Sequence, residues 1–418
     1  MNDDRFRKLD VIETTQVPVS ELTVGMYVAE LDRPWEETPF LFQGFEIKSE
    51  SDIDTLAKFC RHVYVDMHKT RMIRPEFGKP HVTPGNYFHT SPLPHSTGFC
   101  RELEAARSTK DKTENLVKTF MDDIRFGRSI DVQQAKAAVV ECVASITRNP
   151  EALMFLTQIR NRDEYTSEHS LNVCVYAIVL GRHAGLDVHE LENLGTCGLL
   201  HDMGKVAIPP DLLKKSTPLT ADEFELMKKH TIYGRDILMS SRNLFNGAVD
   251  VAYAHHENID GTGYPRQLEG HQLSQNTKIV AVVDRYDAIT ADRVYQRGRT
   301  HMEAITLLNK SAADRHTDHT LTQGFVSTLG AFPPGSVVEL SSGEIAVVLR
   351  QNASHRLRPQ VVVVRDQNKQ PEPYRYVDLA EVDTDDTGKP YNIRAMHRPS
   401  VFGIHLSNFQ SEMAAAFG

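Results

Sequence analysis

The chain has 418 residues, of which 40% are hydrophobic and 25% are charged. This composition is typical of a folded globular protein and excludes a wholly disordered or collagen-like chain. The length predicts about two to four folding units. With 47 Lys and Arg against 56 Asp and Glu, the formal net charge is −9, which argues against binding to long nucleic acids.

The longest apolar run, residues 173–180, is far shorter than the roughly 20 residues that a membrane-spanning helix needs. The first residues lack the apolar core of a signal peptide. Five scattered cysteines, with no Cys-x-x-Cys pair among them, disfavour a disulfide framework or a zinc knuckle. We therefore expect a cytoplasmic protein that is not inserted in a membrane.

The N-terminal part, residues 1–72, has the pattern of a small α/β domain. Helical spacing over residues 51–61 lies between short β-prone runs. These runs are 26–28, 40–42 and 63–65. Residues 73–100 are dense in proline and glycine, which predicts a linker.

The rest of the chain is mainly helical. Residues 101–149 predict connecting helices interrupted at Gly127, and packing within the chain is favoured over a homodimer contact. Residues 150–330 predict a helical bundle, because apolar stripes at helical spacing must bury against one another. Valine-rich runs predict a small antiparallel β-element over 334–382, followed by an irregular tail over 383–418.

Histidines and aspartates recur at regular intervals within the helical bundle. They are His169, the pair His201-Asp202, His230, the pair His255-His256, and Asp284. Separations of about 25 to 32 residues suit successive helices whose inward-facing side chains meet at one depth. Imidazole and carboxylate groups are ligands for zinc, iron, manganese or nickel, so this pattern predicts a metal site without thiolates.

Taken one at a time, members of this set also fit ordinary structural roles. A lone His169 on an apolar helix is more often a packed core histidine than a ligand. Asp284 directly follows an apolar run at 279–283, and a carboxylate in that place needs a buried partner. Asp202 could bridge two cations, because a carboxylate has two oxygens that bind metals, whereas a neutral imidazole does not bridge. One metal alone would leave several of these ligands unused, so the set favours two metals over one.

Two neighbouring segments add groups that suit phosphate chemistry. Lys205 follows the His-Asp pair closely, so its ammonium is expected to reach a phosphate oxygen or protonate a leaving alkoxide. Gly204 indicates a close backbone approach. The loop that follows His256 is rich in glycine and proline, which predicts a specified turn. In this loop Tyr264 is expected to pack or to stack on a base.

Taken together, these residues resemble the HD-GYP family, a bacterial branch of the HD-domain metal-dependent phosphohydrolases. The matching stretches are Glu168-His169-Ser170, Leu200-His201-Asp202-Met203-Gly204-Lys205, Met227-Lys228-Lys229-His230, His255 to Pro265, Asp284-Arg285-Tyr286-Asp287-Ala288 and Arg293-Val294-Tyr295. They occur in order over about 130 residues. The resemblance implies a phosphodiesterase that acts on cyclic di-GMP with iron or manganese. It also implies that residues 1–72 are a small domain of unknown function.

The resemblance implies roles for individual residues. One metal is held by His169, His201, Asp202 and Asp284, and the other by His230, His255 and His256, with Asp202 bridging. Lys205 contacts the scissile phosphate, and Arg293 binds a phosphate or a guanine edge. Asp287 orients the metal ligands by accepting a hydrogen bond from them. The Gly263-Tyr264-Pro265 loop is also expected to dock diguanylate cyclase domains.

Two positions depart from the family pattern. Some relatives carry a glutamate four residues before the first histidine, where it holds a third metal. Here that residue is Tyr165, so we expect two metals. Gln296 stands where relatives often have lysine, which bears on phosphate affinity and on the choice of substrate.

The expected reaction is hydrolysis of the cyclic dinucleotide to linear pGpG, with a water activated by the metal pair, and the sequence leaves open whether GMP follows. Three alternatives remain open. The site prefers cyclic GMP–AMP, or the protein is a sensor that binds a cyclic dinucleotide without hydrolysing it, or it is an interaction scaffold. The sequence favours the enzyme, because buried ligands without a metal are costly.

Overall fold

The fold is described from a computed structural model of the chain. The residues that it describes are 14–19, 22, 24–33, 38, 44–47, 49–66, 98–159, 165–241, 243–291, 298–352, 354–385, 388–404 and 406. The β-prone run at 40–42 and nearly all of the expected linker, residues 73–97, lie outside these ranges.

The N-terminal domain is a four-stranded antiparallel sheet with one helix. Its elements are β1 Thr14–Pro18, β2 Tyr27–Leu31, β3 Phe45–Glu46, α1 Glu50–Phe59 and β4 His62–Asp66. The strand order is β1-β4-β2-β3, and Leu56 of α1 is buried with Val28, Val63 and Val65 of the sheet. The predicted α/β fold is confirmed. However, the sequence did not indicate β1, which pairs with β4 at one edge of the sheet.

Two connecting helices follow, α2 Phe99–Arg125 and α3 Val132–Arg148. The chain reverses at Gly127, which has a positive φ of 71°. Asp131 begins α3 by accepting bonds from the next backbone N–H groups, those of Gln133 at 3.0 Å and Gln134 at 3.2 Å. Apolar residues of both helices join the core of the helical domain, so they pack within the chain.

In the part of the chain that the structure describes, the helical domain consists of α-helices linked by short loops and two 3₁₀ turns. The α-helices are α4 Pro150–Thr157, α5 Tyr165–His183, α6 Val188–Leu200, α7 Pro210–Leu213, α8 Ala221–Lys228, α9 His230–Met239, α10 Asn246–Ala254, α11 Gln275–Thr290, α12 His301–Ala313 and α13 His319–Leu329. The 3₁₀ turns are Met203–Ala207 and Gly270–Gln272. Among the described helices, none is both long enough and apolar enough to span a membrane.

Helix α5 runs through the centre of this domain. Its residues 171 and 173–180 are apolar and buried all around the helix, as expected for a helix with neighbours on every side. Helix α6 approaches it closely at Gly198, where an added Cβ would lie 2.9 Å from the Cα of Cys174. This contact sets the positions of the two helix ends that carry the first metal-ligand candidates.

The C-terminal element is a five-stranded antiparallel sheet. Its strands are β5 Val337–Leu340, β6 Ile345–Arg350, β7 Gln360–Arg365, β8 Pro371–Asp378 and β9 Ile393–His397, in the order β8-β7-β6-β5-β9, and a 3₁₀ turn follows at Pro399–Phe402. The expectation that the β-element ends at 382 and an irregular tail begins there is therefore wrong. Strand β9 is short and half polar, and it pairs with β5, more than 50 residues upstream. No local pattern indicates such a pairing.

The two faces of this sheet have different partners. One face, which includes Val337, Val347 and Val362, belongs to the core of the helical domain. The opposite face, which includes Val338, Val348 and Val361, forms a separate small core. Because successive side chains of a strand point to opposite faces, the valine-rich runs serve both cores.

Candidate metal centre

Helix ends place the expected ligands. His169 lies near the start of α5, and His201-Asp202 follow the last residue of α6. His230 is the first residue of α9, His255-His256 follow α10, and Asp284 lies within α11. The structure thus brings together all seven side chains that the sequence singled out.

The first cluster contains His169, His201, Asp202 and Asp284. The Nε2 atom of His169 lies 3.3 Å from Oδ2 of Asp202 and 3.1 Å from Oδ1 of Asp284. The Nε2 atom of His201 lies 3.3 Å and 3.7 Å from the same two oxygens. All four side chains are buried. Asp284 therefore has the buried partners that its place after an apolar run requires.

The second cluster contains His230, His255 and His256. One nitrogen from each ring lies within 4.8 Å of the others, and the Nε2 atoms of His230 and His255 are 3.3 Å apart. His256 is the most exposed of the three, and its Nδ1 lies 3.8 Å from Oδ2 of Asp284.

Asp202 connects the two clusters. Its Oδ2 atom faces His169 and His201, whereas its Oδ1 atom lies 3.6 Å from Nε2 of both His230 and His255. The two oxygens of this one carboxylate thus point to different clusters, which is the arrangement that a bridge between two cations requires.

Partners behind the rings orient three of the histidines. Nδ1 of His201 donates to the Gly198 carbonyl at 2.8 Å, and Nδ1 of His230 donates to the Met227 carbonyl at 2.7 Å. His255 donates in the same way to backbone carbonyls of α10 at 3.1 Å. A carbonyl accepts but does not donate, so Nδ1 of each ring carries a proton, and whenever the ring is neutral its lone pair is on Nε2, the nitrogen that faces the cluster.

His169 has a carboxylate behind it. Its Nδ1 lies 2.8 Å from Oδ2 of Asp287, and the other oxygen of Asp287 accepts from Asn172 at 3.1 Å. Asp284 and Asp287 are one helical turn apart on α11, so a single helix contacts both nitrogens of this ring.

The net shift of the histidine pKa differs between the two clusters. Burial lowers the pKa of His201, but the carboxylates of Asp202 and Asp284 outweigh it and raise the pKa to about 9. In the second cluster, burial lowers the pKa of His230 to about 3 and holds the pKa of His256 well below its usual range. These two rings are therefore neutral at pH 7, which is the form that binds metals.

The carboxylates stay ionised despite their burial. Burial raises the pKa of Asp202, but the charges of Lys205 and His201 outweigh it and hold the pKa well below its usual range. For Asp284, contacts with His169 and His201 likewise overcome burial and keep the pKa low. The site thus presents anionic oxygens on one side and neutral imidazoles on the other.

Two buried atoms of the site lack a hydrogen-bond partner among the described residues. They are Nε2 of His201 and Oδ1 of Asp202. An unpaired buried polar atom is costly, and it is rare unless an ion or a ligand satisfies it. The donor set, the neutral rings and these unpaired atoms fit a pair of divalent metal ions.

Of the other residues that the sequence singled out, Lys205 and Gly204 lie beside the clusters. Lys205 is partly exposed in the 3₁₀ turn Met203–Ala207, and its ammonium contacts Oδ2 of Asp202. A Cβ added to Gly204 would lie 1.9 Å from the carbonyl oxygen of His230, so the expected close approach is to the backbone of α9. Arg293 and Gln296 lie outside the described residues, as does the side chain of Tyr165.

The loop after His256 is held by a residue that the sequence pattern did not single out. Glu257 is buried, and its carboxylate accepts from the backbone N–H of Arg266 at 2.6 Å and of Leu268 at 3.1 Å. Its place, directly after two ligand candidates and before a turn, was the available signal. The loop positions Tyr264, whose ring centroid lies 4.9 Å from that of His256.

Comparison with known proteins places this geometry in a family. An HD domain matches residues 153–321, and a domain of unknown function (DUF3391) matches residues 14–135. The second match therefore continues past residue 72 into α3. The helical fold and the buried His–Asp centre define an HD-domain protein.

One relative matches most of the chain, and others match parts of it. The cyclic di-GMP phosphodiesterase PA4108 of Pseudomonas aeruginosa is 35% identical over 369 residues, which are 87% of this chain and 88% of the relative. A 3′3′-cGAMP-specific phosphodiesterase 2 of Vibrio cholerae is 38% identical over 33% of this chain and 27% of its own. The solved structure of Bd1817, an HDG"Y"P protein from Bdellovibrio bacteriovorus, covers 76% of this chain and 99% of its own at a TM-score of 0.47 and 18% identity. The chain belongs to the HD-GYP family of HD-domain proteins, with an N-terminal domain of unknown function.

Proposed function

We propose that the chain is a metal-dependent phosphodiesterase that hydrolyses cyclic di-GMP to linear pGpG and then to GMP. The position of Asp202 carries the proposal, because its two carboxylate oxygens face two separate ligand clusters. Sites that hold two divalent cations are typical of enzymes that displace phosphate esters. The similarity to the Pseudomonas aeruginosa phosphodiesterase over 87% of the chain supports cyclic di-GMP as the substrate.

Seven residues would hold the two metals. They are His169, His201, Asp202 and Asp284 for one metal, and His230, His255 and His256 for the other, with Asp202 as the bridge. When bound, divalent metals supply an activated water and neutralise charge on the phosphate. Iron and manganese are the metals that we propose, because the resemblance to the HD-GYP family implies them, and a set of imidazoles and carboxylates without a thiolate fits both.

Other residues would bind and orient the substrate. The Lys205 ammonium is partly exposed beside Asp202, so it is available to a non-bridging oxygen of the scissile phosphate and stabilises the charge that develops there. Tyr264 offers a ring for a base beside His256. Arg293 is proposed for a phosphate or a guanine edge from the sequence alone. Asp287 would act through His169, which it contacts.

Several expectations stay proposals from the sequence. They are two metals rather than three, a cytoplasmic location, docking of diguanylate cyclase domains on the Gly263-Tyr264-Pro265 loop, and a homodimer. Four buried cysteines that form no disulfide are consistent with a reducing compartment.

Metal analysis paired with a product assay tests the proposal. The full chain, purified and assayed under reducing conditions, should contain two iron or manganese ions and convert cyclic di-GMP to pGpG and GMP. His201→Ala should lose metal and at least about 100-fold in kcat/KM. His189→Ala, at an exposed histidine of α6, is the matched control and should keep both. A chain that binds two metals but gives no turnover with iron or manganese would contradict the proposal.

The second candidate substrate is 3′3′-cyclic GMP–AMP. It is favoured by the Vibrio cholerae relative named for that nucleotide, although the similarity covers only 33% of this chain. Competition between the two cyclic dinucleotides in one reaction decides between them. We expect cyclic di-GMP to be consumed first.

A further inference from the structure

An aromatic side chain without a role in the core lies beside the metal centre. Helix α8 has no buried residue, and Phe224 at its centre is 45% exposed. Its ring contacts Tyr264 edge to face, with centroids 6.1 Å apart, and Tyr264 in turn lies 4.9 Å from His256. A line of rings therefore leads from a metal-ligand candidate outward to solvent.

A cation accompanies these rings. The Nζ atom of Lys228, one turn after Phe224 on α8, lies 4.8 Å from the Phe224 ring centre and 5.6 Å from that of Tyr264. Its carboxylate partner is Glu225 at 2.7 Å, which is 68% exposed. Such an exposed ion pair contributes little energy, so the ammonium is free to exchange partners.

Folding alone gains little from the exposed ring of Phe224. Because Phe224 is exposed, it removes little apolar area from water and adds little to stability, and its side chain has no hydrogen-bonding group to satisfy. A flat apolar ring next to an ammonium suits a ligand that joins a base to a phosphate, because the base stacks on the ring and the phosphate pairs with the ammonium.

We propose that Phe224 and Lys228 form a subsite of the proposed cyclic dinucleotide site, in which one base stacks on Phe224 and Lys228 binds the phosphate that is not being cleaved. The inference rests on the proposed function and extends it to α8. A bond between an ammonium and a phosphate is stronger than a partly exposed cation–π contact, so Lys228 leaves the ring when the ligand arrives. The base then occupies the face that the ammonium covered.

The role of Phe224 is tested with two substrates on the metal-loaded full chain. One is cyclic di-GMP, and the other is bis(p-nitrophenyl) phosphate, a diester without a nucleobase. Phe224→Ala should lower the ratio of kcat/KM for cyclic di-GMP to that for the base-free diester about 10-fold or more, mainly through KM. Phe224→Trp should restore the ratio, because it keeps a stacking surface.

Lys228 is tested by charge. Lys228→Gln should raise KM for cyclic di-GMP about 10-fold, whereas Lys228→Arg should stay near the wild type. The matched control is Phe126→Ala, because Phe126 is 74% exposed and has Arg128 above its ring, yet lies at the end of α2. It should leave both substrates unaffected.

Direct binding separates this inference from the proposed activity. Calorimetry of cyclic di-GMP with the metal-loaded full chain should show weaker binding for Phe224→Ala and Lys228→Gln than for Phe126→Ala. Unchanged affinity in both variants overturns the subsite, even if the wild type is active. If the wild type binds cyclic di-GMP but does not hydrolyse it, the proposed function fails, and the binding of the variants still decides the subsite. If the wild type does not bind, both fail.

Discussion

Asp287 influences the metal centre without belonging to the ligand set. Its carboxylate lies 2.8 Å from Nδ1 of His169, and this contact turns Nε2 of the ring toward Asp202 and Asp284. A carboxylate behind a ligating histidine fixes the orientation of the ring and makes it a better donor. We therefore expect metal affinity to depend on Asp287, although Asp287 is not a metal ligand.

We expect Asp287→Ala to weaken metal binding about 10- to 100-fold, because His169 loses the group that holds its orientation. Asp287→Asn should lose less, since the amide oxygen still accepts from Nδ1. Metal titration against a competing chelator measures both. Asp236→Ala, at an exposed aspartate of α9, is the control. Wild-type metal affinity in Asp287→Ala would show that His169 needs no support.

At the scale of elements, the site depends on how the 3₁₀ turn Met203–Ala207 contacts α9. This turn follows Asp202, and α9 begins with His230, so their separation sets the distance between the two clusters. Gly204 allows the contact. A Cβ there would lie 1.9 Å from the His230 carbonyl oxygen and 2.4 Å from the backbone nitrogen of Gly234.

Gly204→Ala should therefore destabilise the chain by about 3 kcal/mol and weaken metal binding, because backbone atoms rather than a flexible side chain must move. Denaturant unfolding and metal titration measure the two effects. Gly98→Ala is the matched control, since among the described residues no atom outside its own chain neighbours and helix backbone lies within 4 Å of the added Cβ. A Gly204→Ala chain with wild-type stability would mean that the turn and α9 separate freely.

The sequence predicted the ligand set better than the surroundings of the site. His169, His230 and Asp284 stood out because chemically unusual residues recur at intervals that suit successive helices. Glu257 and Phe224 were missed, since a single buried carboxylate or exposed ring has no periodic signal. Their roles depend on backbone N–H groups and rings that only the folded loop brings near.

At the scale of the molecule, the same limit applies to strands. The three valine-rich strands β5, β6 and β7 were indicated by their own composition. Strand β1 is short and mostly polar, and β9 depends on a distant partner, so neither is visible locally. The spacing of apolar residues in a helix can be seen within one segment. Strand pairing joins segments that are far apart in the chain, so it cannot be predicted from either segment alone.

Glu151 connects the helical domain to the C-terminal sheet. This carboxyl lies near the start of α4 and is buried, and it accepts from the backbone N–H of Gln351 at 2.8 Å and from Nε of Arg350 at 3.4 Å, both at the end of β6. Burial raises its pKa from 4.5 to about 7, and these partners offset burial only in part.

Because of this raised pKa, Glu151 makes the free energy of unfolding depend on pH. Between pH 4.5 and 7 the unfolded chain has released the Glu151 proton while the folded chain still holds it. The free energy of unfolding therefore falls as pH rises through this window and is level above it. Glutamine does not titrate. The stability of the wild type relative to Glu151→Gln should accordingly fall by about 3 kcal/mol between pH 4.5 and 7.5.

Denaturant unfolding of both metal-free chains across this pH range measures the difference. Glu303→Gln is the contrasting variant, because backbone and side-chain bonds from Thr300 lower the pKa of Glu303. That carboxyl stabilises the folded chain above pH 4.5 and loses its effect as pH falls, so the sign is reversed. Parallel pH profiles for the wild type and Glu151→Gln would mean that Glu151 is already ionised in the folded chain. The junction between α4 and β6 would then be held by a charged contact with Arg350 rather than by a protonated carboxyl.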